Sequence, residues 1–248
     1  MSKKLNPLPM LATPKYELTL PSTGKKVKYR PFLVKEEKIL LLAMESGDSK
    51  AMSLAIRDII RDCVEQDIRV DSLPLFDVEY IFLQLRAKSV GEIAEPIISC
   101  PSCEEGTKIK LNLTKVEVTK GKKHTDKIEL TEDIGVLMKY PQLKISEDFD
   151  MTQIESDSAL AFDVIIRCID KVWNGEDIYD AEDVGIEAIQ EFVDNMSQDQ
   201  FAKIANFFET MPQLKHDIDF ICPHCEDKTK ITLNGLTDFF GSASATIT

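Results

Sequence analysis

The chain has 248 residues, of which 43% are hydrophobic and 29% charged, and its formal net charge is −13. This composition is typical of a globular protein with enough chain to bury a core, and no apolar run approaches the length that spans a membrane. The first residues lack the apolar segment of a secretory signal, so we expect a cytoplasmic protein whose paired cysteines favour metal over disulfide.

The charge is shared unevenly along the chain. Residues 1–120 hold 19 Lys or Arg and 17 Asp or Glu, whereas residues 121–248 hold 11 and 26. The acidic half would repel a phosphate backbone, so nucleic-acid binding is disfavoured. The asymmetry suits docking to a basic partner surface, and an acidic face that only keeps the chain soluble is the alternative.

The first half predicts a hairpin followed by three helices. Tyr16–Leu20 and Lys26–Tyr29 alternate apolar and polar residues around a Pro-Ser-Thr-Gly turn. Apolar side chains then recur at helical spacing, which predicts helices over Val34–Glu45, around Ile56–Val64 and over Leu75–Lys88.

Strands are predicted on both sides of the cysteine motif that follows, and the second half repeats the plan. Ile93–Ser99 enters the motif, and alternation from Ile109 to Leu113 leaves it. In the second half, Ile128–Leu130 and Leu137–Tyr140 predict the hairpin strands. Three helices follow, the first lined by Phe162, Ile165, Ile166, Ile169 and Trp173, the second by Ile186, Ile189 and Val193, and the third covering Gln200–Glu209. Asp217–Ile221 is the strand that enters the second motif.

Two distant segments are near copies of each other, and each contains a Cys-Pro-x-Cys motif. Cys100–Asn112 and Cys222–Asn234 are identical at nine of thirteen positions, at a constant offset of 122 residues. Two further markers recur in the same order, because Glu17–Thr19 and Glu129–Thr131 carry the same three residues and an Ile-Ile-Arg helix follows each. The pattern indicates that the chain contains two copies of one structural unit.

We therefore predict an α+β fold made of two tandem diverged copies of a unit with a hairpin, helices and a zinc knuckle, packed around a shared four-cysteine site. Residues 1–120 form the first repeat and residues 121–248 the second, acidic one. The second repeat carries an acidic insertion near Gly175–Asp183. Its small polar tail, from about residue 241, is expected to be disordered or ordered only by a partner.

The two cysteine pairs predict one structural zinc per chain. Two Cys-x-x-Cys turns supply the four thiolates of a closed tetrahedral site, which leaves no open position for water or substrate. The predicted ligands are Cys100, Cys103, Cys222 and Cys225. Free thiols and two redox-active pairs are the alternatives, although redox pairs usually begin a helix and these pairs lie between strands.

No other pattern in the sequence indicates catalysis. There is no glycine-rich phosphate loop and no metalloprotease or serine-hydrolase motif, so we predict a protein that is not an enzyme and has no small-molecule substrate. Cys63 and Cys168 lie on apolar helical faces and are expected to be small core residues. His224, whose counterpart is Ser102, is expected at the surface.

The helix after Leu73 is rich in large apolar residues. Phe76, Tyr80 and Leu83 fall off its main apolar face and are candidates for binding another subunit. The alternative is a helix buried between the two halves of the chain.

This helix carries a resemblance to a known family. The run Phe76–Gly91, with the Cys-Pro-Ser-Cys that follows it, resembles the signature of the baseplate hub proteins of T-even-like contractile-tailed bacteriophages, the gene-26 product family. The resemblance extends over most of the chain, including Arg30–Leu33. It implies a component or assembly factor of the tail baseplate hub, present in the host cytoplasm during assembly or in the virion, with other hub or tail proteins as partners and no catalytic residues.

Two hypotheses from different classes follow. The first is a zinc-stapled structural or assembly protein of the baseplate hub, which functions through its surfaces. The second is a zinc-ribbon-like adaptor that binds nucleic acid or a nucleic-acid enzyme, for which the Lys108, Lys110 and Lys115 cluster near the first motif is the main support.

Overall fold

The computed structural model describes residues 11–143, 157–240 and 242–243. The first part of the chain is a hairpin and three helices. Antiparallel strands β1 (Tyr16–Thr19) and β2 (Lys26–Tyr29) precede helices α1 (Val34–Ser46), α2 (Ser49–Cys63) and α3 (Leu75–Ser89). The predicted limits of the first and third helices are confirmed to within one residue.

Local sequence signals explain where these helices begin and end. Gly47 ends α1 in a left-handed conformation, with φ of 65°. The Asp48 side chain then accepts a hydrogen bond from the Lys50 N–H and caps α2. The two helices are therefore joined by a tight turn, and α1 lies on the outside of α2.

Short strands surround the first cysteine motif. They are β3 (Ile93–Ala94), β4 (Ile97–Ser99), β5 (Gly106–Lys108), β6 (Leu111–Asn112) and β7 (Glu117–Thr119). The single strand predicted over Ile93–Ser99 is in fact two strands, because Pro96 lies between them and has no N–H to donate. β4 pairs with β5 and β3 pairs with β6, both antiparallel.

A four-stranded antiparallel sheet dominates the second part of the chain. Its strands, in the spatial order β11-β10-β9-β8, are β8 (Lys127–Glu129), β9 (Ile134–Met138), β10 (Ile169–Asn174) and β11 (Asp177–Asp180), and helix α4 (Asp157–Arg167) precedes β10. The prediction that Ile169 and Trp173 continue this helix is wrong. Both residues lie on β10, and residues 175–183, where we predicted an acidic insertion, form the turn and edge strand after it and the start of the next helix.

The remaining elements lead to the second cysteine motif. They are α5 (Ala181–Val184), α6 (Ile186–Asp194), α7 (Gln198–Thr210), β12 (Gln213–Ile221), β13 (Lys228–Asn234), α8 (Gly235–Phe240) and β14 (Ser242–Ala243). β12 pairs with β13 and also with β7 from the first half. Of the tail predicted to be disordered, the described residues Ser242 and Ala243 pair in parallel with β4.

Three clusters of buried apolar side chains form the core. The first joins the β1–β2 hairpin to α2 and α3, and the third joins the four-stranded sheet to α6 and α7. The second cluster draws on both halves of the sequence, because it contains Leu83 and Leu113 from the first half and Leu214 and Leu233 from the second. Helix α3 lies between the first and second clusters.

The segment between the two predicted repeats is anchored by Gly121, whose N–H donates to the Thr210 carbonyl at 2.9 Å, and by His124. The half-buried His124 ring makes hydrogen bonds of 3.0 Å to the Thr210 and Tyr140 hydroxyl groups. It also stacks on the Tyr140 ring. Within the described residues, no helix is both long enough and apolar enough to cross a lipid bilayer.

Candidate metal centre

The two Cys-Pro-x-Cys turns have the same backbone conformation. In the first, the Glu104 N–H donates to the Cys100 carbonyl at 2.8 Å, and in the second the Glu226 N–H donates to the Cys222 carbonyl at 3.0 Å. The Cys100 N–H also donates to the Glu105 carbonyl, as the Cys222 N–H does to that of Asp227. Each turn therefore presents its two cysteines on the same side of a short hairpin.

The turns lie at the end of two hairpins that pack side by side. The strands β4 and β5 carry the first turn, and β12 and β13 carry the second. A side-chain hydrogen bond joins the turns directly, because the Ser102 hydroxyl donates to an Asp227 carboxylate oxygen at 2.5 Å. Sequence reasoning missed this contact, since neither residue belongs to a recognisable motif.

The four predicted ligands come together in one cluster. The sulfur atoms of Cys100, Cys103, Cys222 and Cys225 all lie within 4.8 Å of one another. Between the turns, the Sγ atoms of Cys100 and Cys225 are 3.7 Å apart, and those of Cys103 and Cys222 are 3.6 Å apart.

These separations fit a tetrahedral metal site and exclude a disulfide. A disulfide bond would place two sulfurs about 2.0 Å apart. Four thiolates bound to zinc at about 2.3 Å lie about 3.8 Å from one another, as tetrahedral geometry requires. The residues present therefore fit a zinc ion, and four thiolate donors are the ligand set of a closed structural site.

The thiols in this cluster have opposite pKa shifts. Burial opposes ionisation of Cys222, but the N–H groups of Cys225 and His224 and the neighbouring thiols stabilise its thiolate and lower its pKa to about 6. The Glu105 N–H favours the Cys103 thiolate, but burial and hydrogen bonds to the other sulfurs outweigh it and raise the Cys103 pKa to about 12. The Cys222 sulfur therefore ionises more readily than the Cys103 sulfur.

A divalent cation would replace the protons of the cluster thiols, because cysteine binds metal as the deprotonated thiolate.

The cysteine cluster is buried on one side only. Cys100 and Cys222 are buried, whereas Cys103 is half-buried and Cys225 is exposed. His224 is also exposed, as predicted, and does not belong to the cluster.

The two remaining cysteines are core residues, as predicted. Cys63 is 1% exposed and Cys168 is fully buried. Burial raises the pKa of the Cys63 thiol to about 11 and that of Cys168 to about 12. Both thiols stay protonated at neutral pH, so they are poor nucleophiles.

The three residues proposed to bind a partner do not form an exposed face. Phe76 is 3% exposed, Leu83 is fully buried, and Tyr80 packs against both the first and second clusters. The alternative interpretation, a helix buried between parts of the same chain, describes α3. Within α3, Leu75 is the one exposed residue, at 38%, and every other position is buried or half-buried.

Comparison with known proteins gives one family. The family model described as T4 bacteriophage base plate protein matches residues 13–241. Among curated proteins and among solved structures, no chain matches this one significantly. The match spans almost the whole chain and agrees with the resemblance seen in the α3 segment. The chain therefore belongs to the T4 bacteriophage base plate protein family.

Proposed function

We propose that this chain is a non-enzymatic structural or assembly protein of the baseplate hub in a contractile-tailed phage, stapled by one structural zinc ion. The observation that carries the proposal is the convergence of Cys100, Cys103, Cys222 and Cys225 in a base plate family protein. A closed four-thiolate site stabilises a fold and offers no open coordination position for chemistry. Function would then come from surfaces that contact other hub or tail proteins.

The zinc would join the two halves of the chain. The hydrogen-bonded Cys103 and Cys222 are separated by 119 positions in sequence. Closing so long a loop removes more conformational entropy from the unfolded chain than a local clip would. The shared second cluster and the β7–β12 pairing act at the same junction.

We also propose that residues 1–120 and 121–248 are diverged copies of one unit. The matching turns around Cys100 and Cys222 support this interpretation. A second correspondence lies far from the turns: the Arg30 N–H donates to the Cys63 carbonyl at 3.0 Å, and the Lys139 N–H donates to the Cys168 carbonyl at 2.8 Å. In each case the end of a hairpin is hydrogen-bonded to the last residue of an Ile-Ile-Arg helix or to the residue after it.

Native mass spectrometry tests the proposal on protein purified gently from cells that make the other tail proteins. We expect one zinc per chain in a defined complex, with the four cluster thiols resistant to labelling until a chelator is added. A metal-free monomer with reactive thiols would contradict the structural zinc site and favour redox chemistry at the cysteine pairs. Salt-dependent binding to DNA would favour the nucleic-acid adaptor.

A further inference from the structure

A cavity of about 270 Å³ lies where the first turn of α3 meets β12, the end of β13 and the start of α8. Its walls are mostly apolar and come from Leu75, Phe76, Pro141, Met211, Pro212 and Leu214. Four side chains with oxygen acceptors, Glu79, Gln213, Asn234 and Thr237, also line it. It is distinct from the cysteine cluster and shares no residue with it.

Within the described ranges, the Glu79 carboxyl has no counter-charge beside it. Among the described residues its hydrogen-bond donor is the Leu236 N–H, at a long 3.4 Å, and no cationic side chain forms an ion pair with it. Burial raises the pKa of Glu79 to about 7, and the Leu236 N–H only partly offsets this effect. A carboxylate in such surroundings is strongly stabilised by a cation placed beside it.

The backbone leaves room for this carboxyl. Gly235 has a left-handed φ of +64°, and a Cβ atom there would lie 2.8 Å from the Glu79 Oε1 atom. Glycine adopts this conformation without steric cost and also lets the carboxylate approach the chain closely. The start of α8 is thus shaped around Glu79.

Asn234 supplies a second acceptor at the wall of this cavity. The side-chain oxygen of Asn234 is buried and has no hydrogen-bond partner within the described part of the chain. A buried polar atom without a partner costs about 1–3 kcal/mol, so such atoms usually mark a missing ligand or water. Glu79 and Asn234 thus present a carboxyl and an unpaired oxygen at the wall of a mostly apolar cavity, and this arrangement suits a positively charged donor.

We propose that this cavity binds the basic side chain of a lysine or arginine on a neighbouring base plate protein. The aliphatic stem would lie against the apolar walls, and the charged group would donate hydrogen bonds to Glu79 and Asn234. The chain's net charge of −13 favours a basic partner. This inference rests on the proposed function, and it confines the docking role of α3 to its first turns.

Small analogues of the two side chains test the cavity in the purified, full-length protein. n-Butylammonium represents lysine, n-propylguanidinium represents arginine, and n-butanol is the neutral control. We expect saturable binding of at least one cation, followed by NMR shifts of cavity residues, with Kd of about millimolar size. Glu79→Gln should weaken binding at least tenfold, while Glu132→Gln, an equal charge change at an exposed site, should not.

Three results of this titration would overturn the inference. They are equal binding to Glu79→Gln, equal binding of n-butanol, and no saturable binding of either cation to the unaltered protein. Because glutamine keeps the shape of Glu79 and can still accept from Leu236, we expect the variant to fold, and its thermal unfolding verifies this.

A second measurement separates this inference from the proposed function. Glu79→Gln and Glu132→Gln are each co-produced with the other tail proteins, and the retained complex is weighed. Loss of the complex in Glu79→Gln alone supports docking through the cavity, and equal retention in both variants overturns it. If the unaltered chain joins no tail protein, the proposed function fails, while the titration still decides whether the cavity binds a cation.

Discussion

Glu104 and Glu226 adopt the same left-handed backbone conformation, with φ of 61° and 60°, one position after the second cysteine of their respective turns. These are the two non-glycine residues with positive φ in the described chain. Left-handed geometry costs an ordinary L-residue about 1–2 kcal/mol. The turn that presents the sulfurs is therefore strained in both copies.

Replacing either glutamate with asparagine should stabilise the protein. Asparagine tolerates the left-handed region better than glutamate, so we expect Glu104→Asn and Glu226→Asn each to raise the free energy of unfolding by about 1 kcal/mol. Urea denaturation of the metal-loaded protein measures the effect. Glu105→Asn, at the next exposed position, should change stability little. A loss of stability in both test variants would mean that the glutamate side chains contribute more than their strain costs.

Removing one cluster sulfur should destabilise the fold far more than removing a core sulfur. We expect Cys103→Ser to abolish stoichiometric zinc binding and to lower the free energy of unfolding by more than about 4 kcal/mol, because metal binding is coupled to folding. Cys63→Ala is the matched control, since it removes a buried thiol far from the cluster and should cost only about 1 kcal/mol with zinc content unchanged. Metal analysis and thermal unfolding measure both. Similar losses in the two variants would contradict a structural metal.

A buried ion pair should make stability depend on acid pH. Glu36 is 1% exposed, and it accepts hydrogen bonds from Arg30 at 2.8 Å and from the Leu33 N–H at 2.7 Å. Burial opposes its ionisation, but these bonds and one from Lys35 lower its pKa from 4.5 to about 2. Its contribution is therefore complete above pH 4.5 and is lost as the pH falls towards 2.

Glu36→Gln should accordingly lower the free energy of unfolding at pH 7 by an amount on the order of 3 kcal/mol. The difference between this variant and the unaltered protein should shrink as the pH falls from 4.5 to 2. Comparing the two proteins at each pH cancels the loss of metal in acid. Glu45→Gln, at the exposed end of α1, provides the control. A difference that is constant with pH would show that the ion pair does not act through this titration.

Gly135 is required by close packing in the four-stranded sheet. It lies opposite Trp173, and a Cβ atom at this position would be 2.1 Å from the Trp173 ring and 2.5 Å from the Ile128 carbonyl oxygen. We expect Gly135→Ala to destabilise the protein by about 3 kcal/mol and to shift the fluorescence of Trp173, the single tryptophan.

Gly175→Ala is the control for Gly135→Ala, because it adds backbone strain without a steric clash. Gly175 has a φ of +61°, but a Cβ atom there would meet nothing within 4 Å. The substitution should cost about 1 kcal/mol and leave the Trp173 emission unchanged. If Gly135→Ala also costs only about 1 kcal/mol and leaves the emission unchanged, the Trp173 ring has space to move and the sheet packs more loosely than its geometry indicates.

The cysteine cluster could be predicted from sequence because its signal is local and duplicated. Each pair shows its own spacing, and the repeat indicates that the pairs have equivalent roles. The helices α1 and α3 were also predictable, since caps and apolar spacing agree there. Trp173 was misassigned because Ile165, Ile169 and Trp173 recur every four residues, as in a helix. A bulge between Ile169 and Lys171 also hides the strand from the sequence, because it puts the buried Ile169 and Val172 three positions apart instead of two.

The rest could not be predicted, because it depends on contacts between distant segments. Nothing near Glu79 indicates that Gly235 and Asn234 will pack around it, and nothing near Ser102 points to Asp227. The burial of α3 could not be predicted from the sequence either. Its off-face residues Phe76 and Leu83 resemble a free surface in sequence, and only the fold covers them from both sides.

The separation of the two cysteine pairs also has a consequence during translation. At a synthesis rate of about 5–20 residues per second, the second pair follows the first by roughly ten seconds. Until then the nascent chain carries two of the four cluster cysteines, and the side of α3 that packs in the second cluster lacks its partners from the second half. A polypeptide truncated before Cys222 could never close the junction between its halves. The metal site that we propose can therefore form only in chains that extend past Cys225.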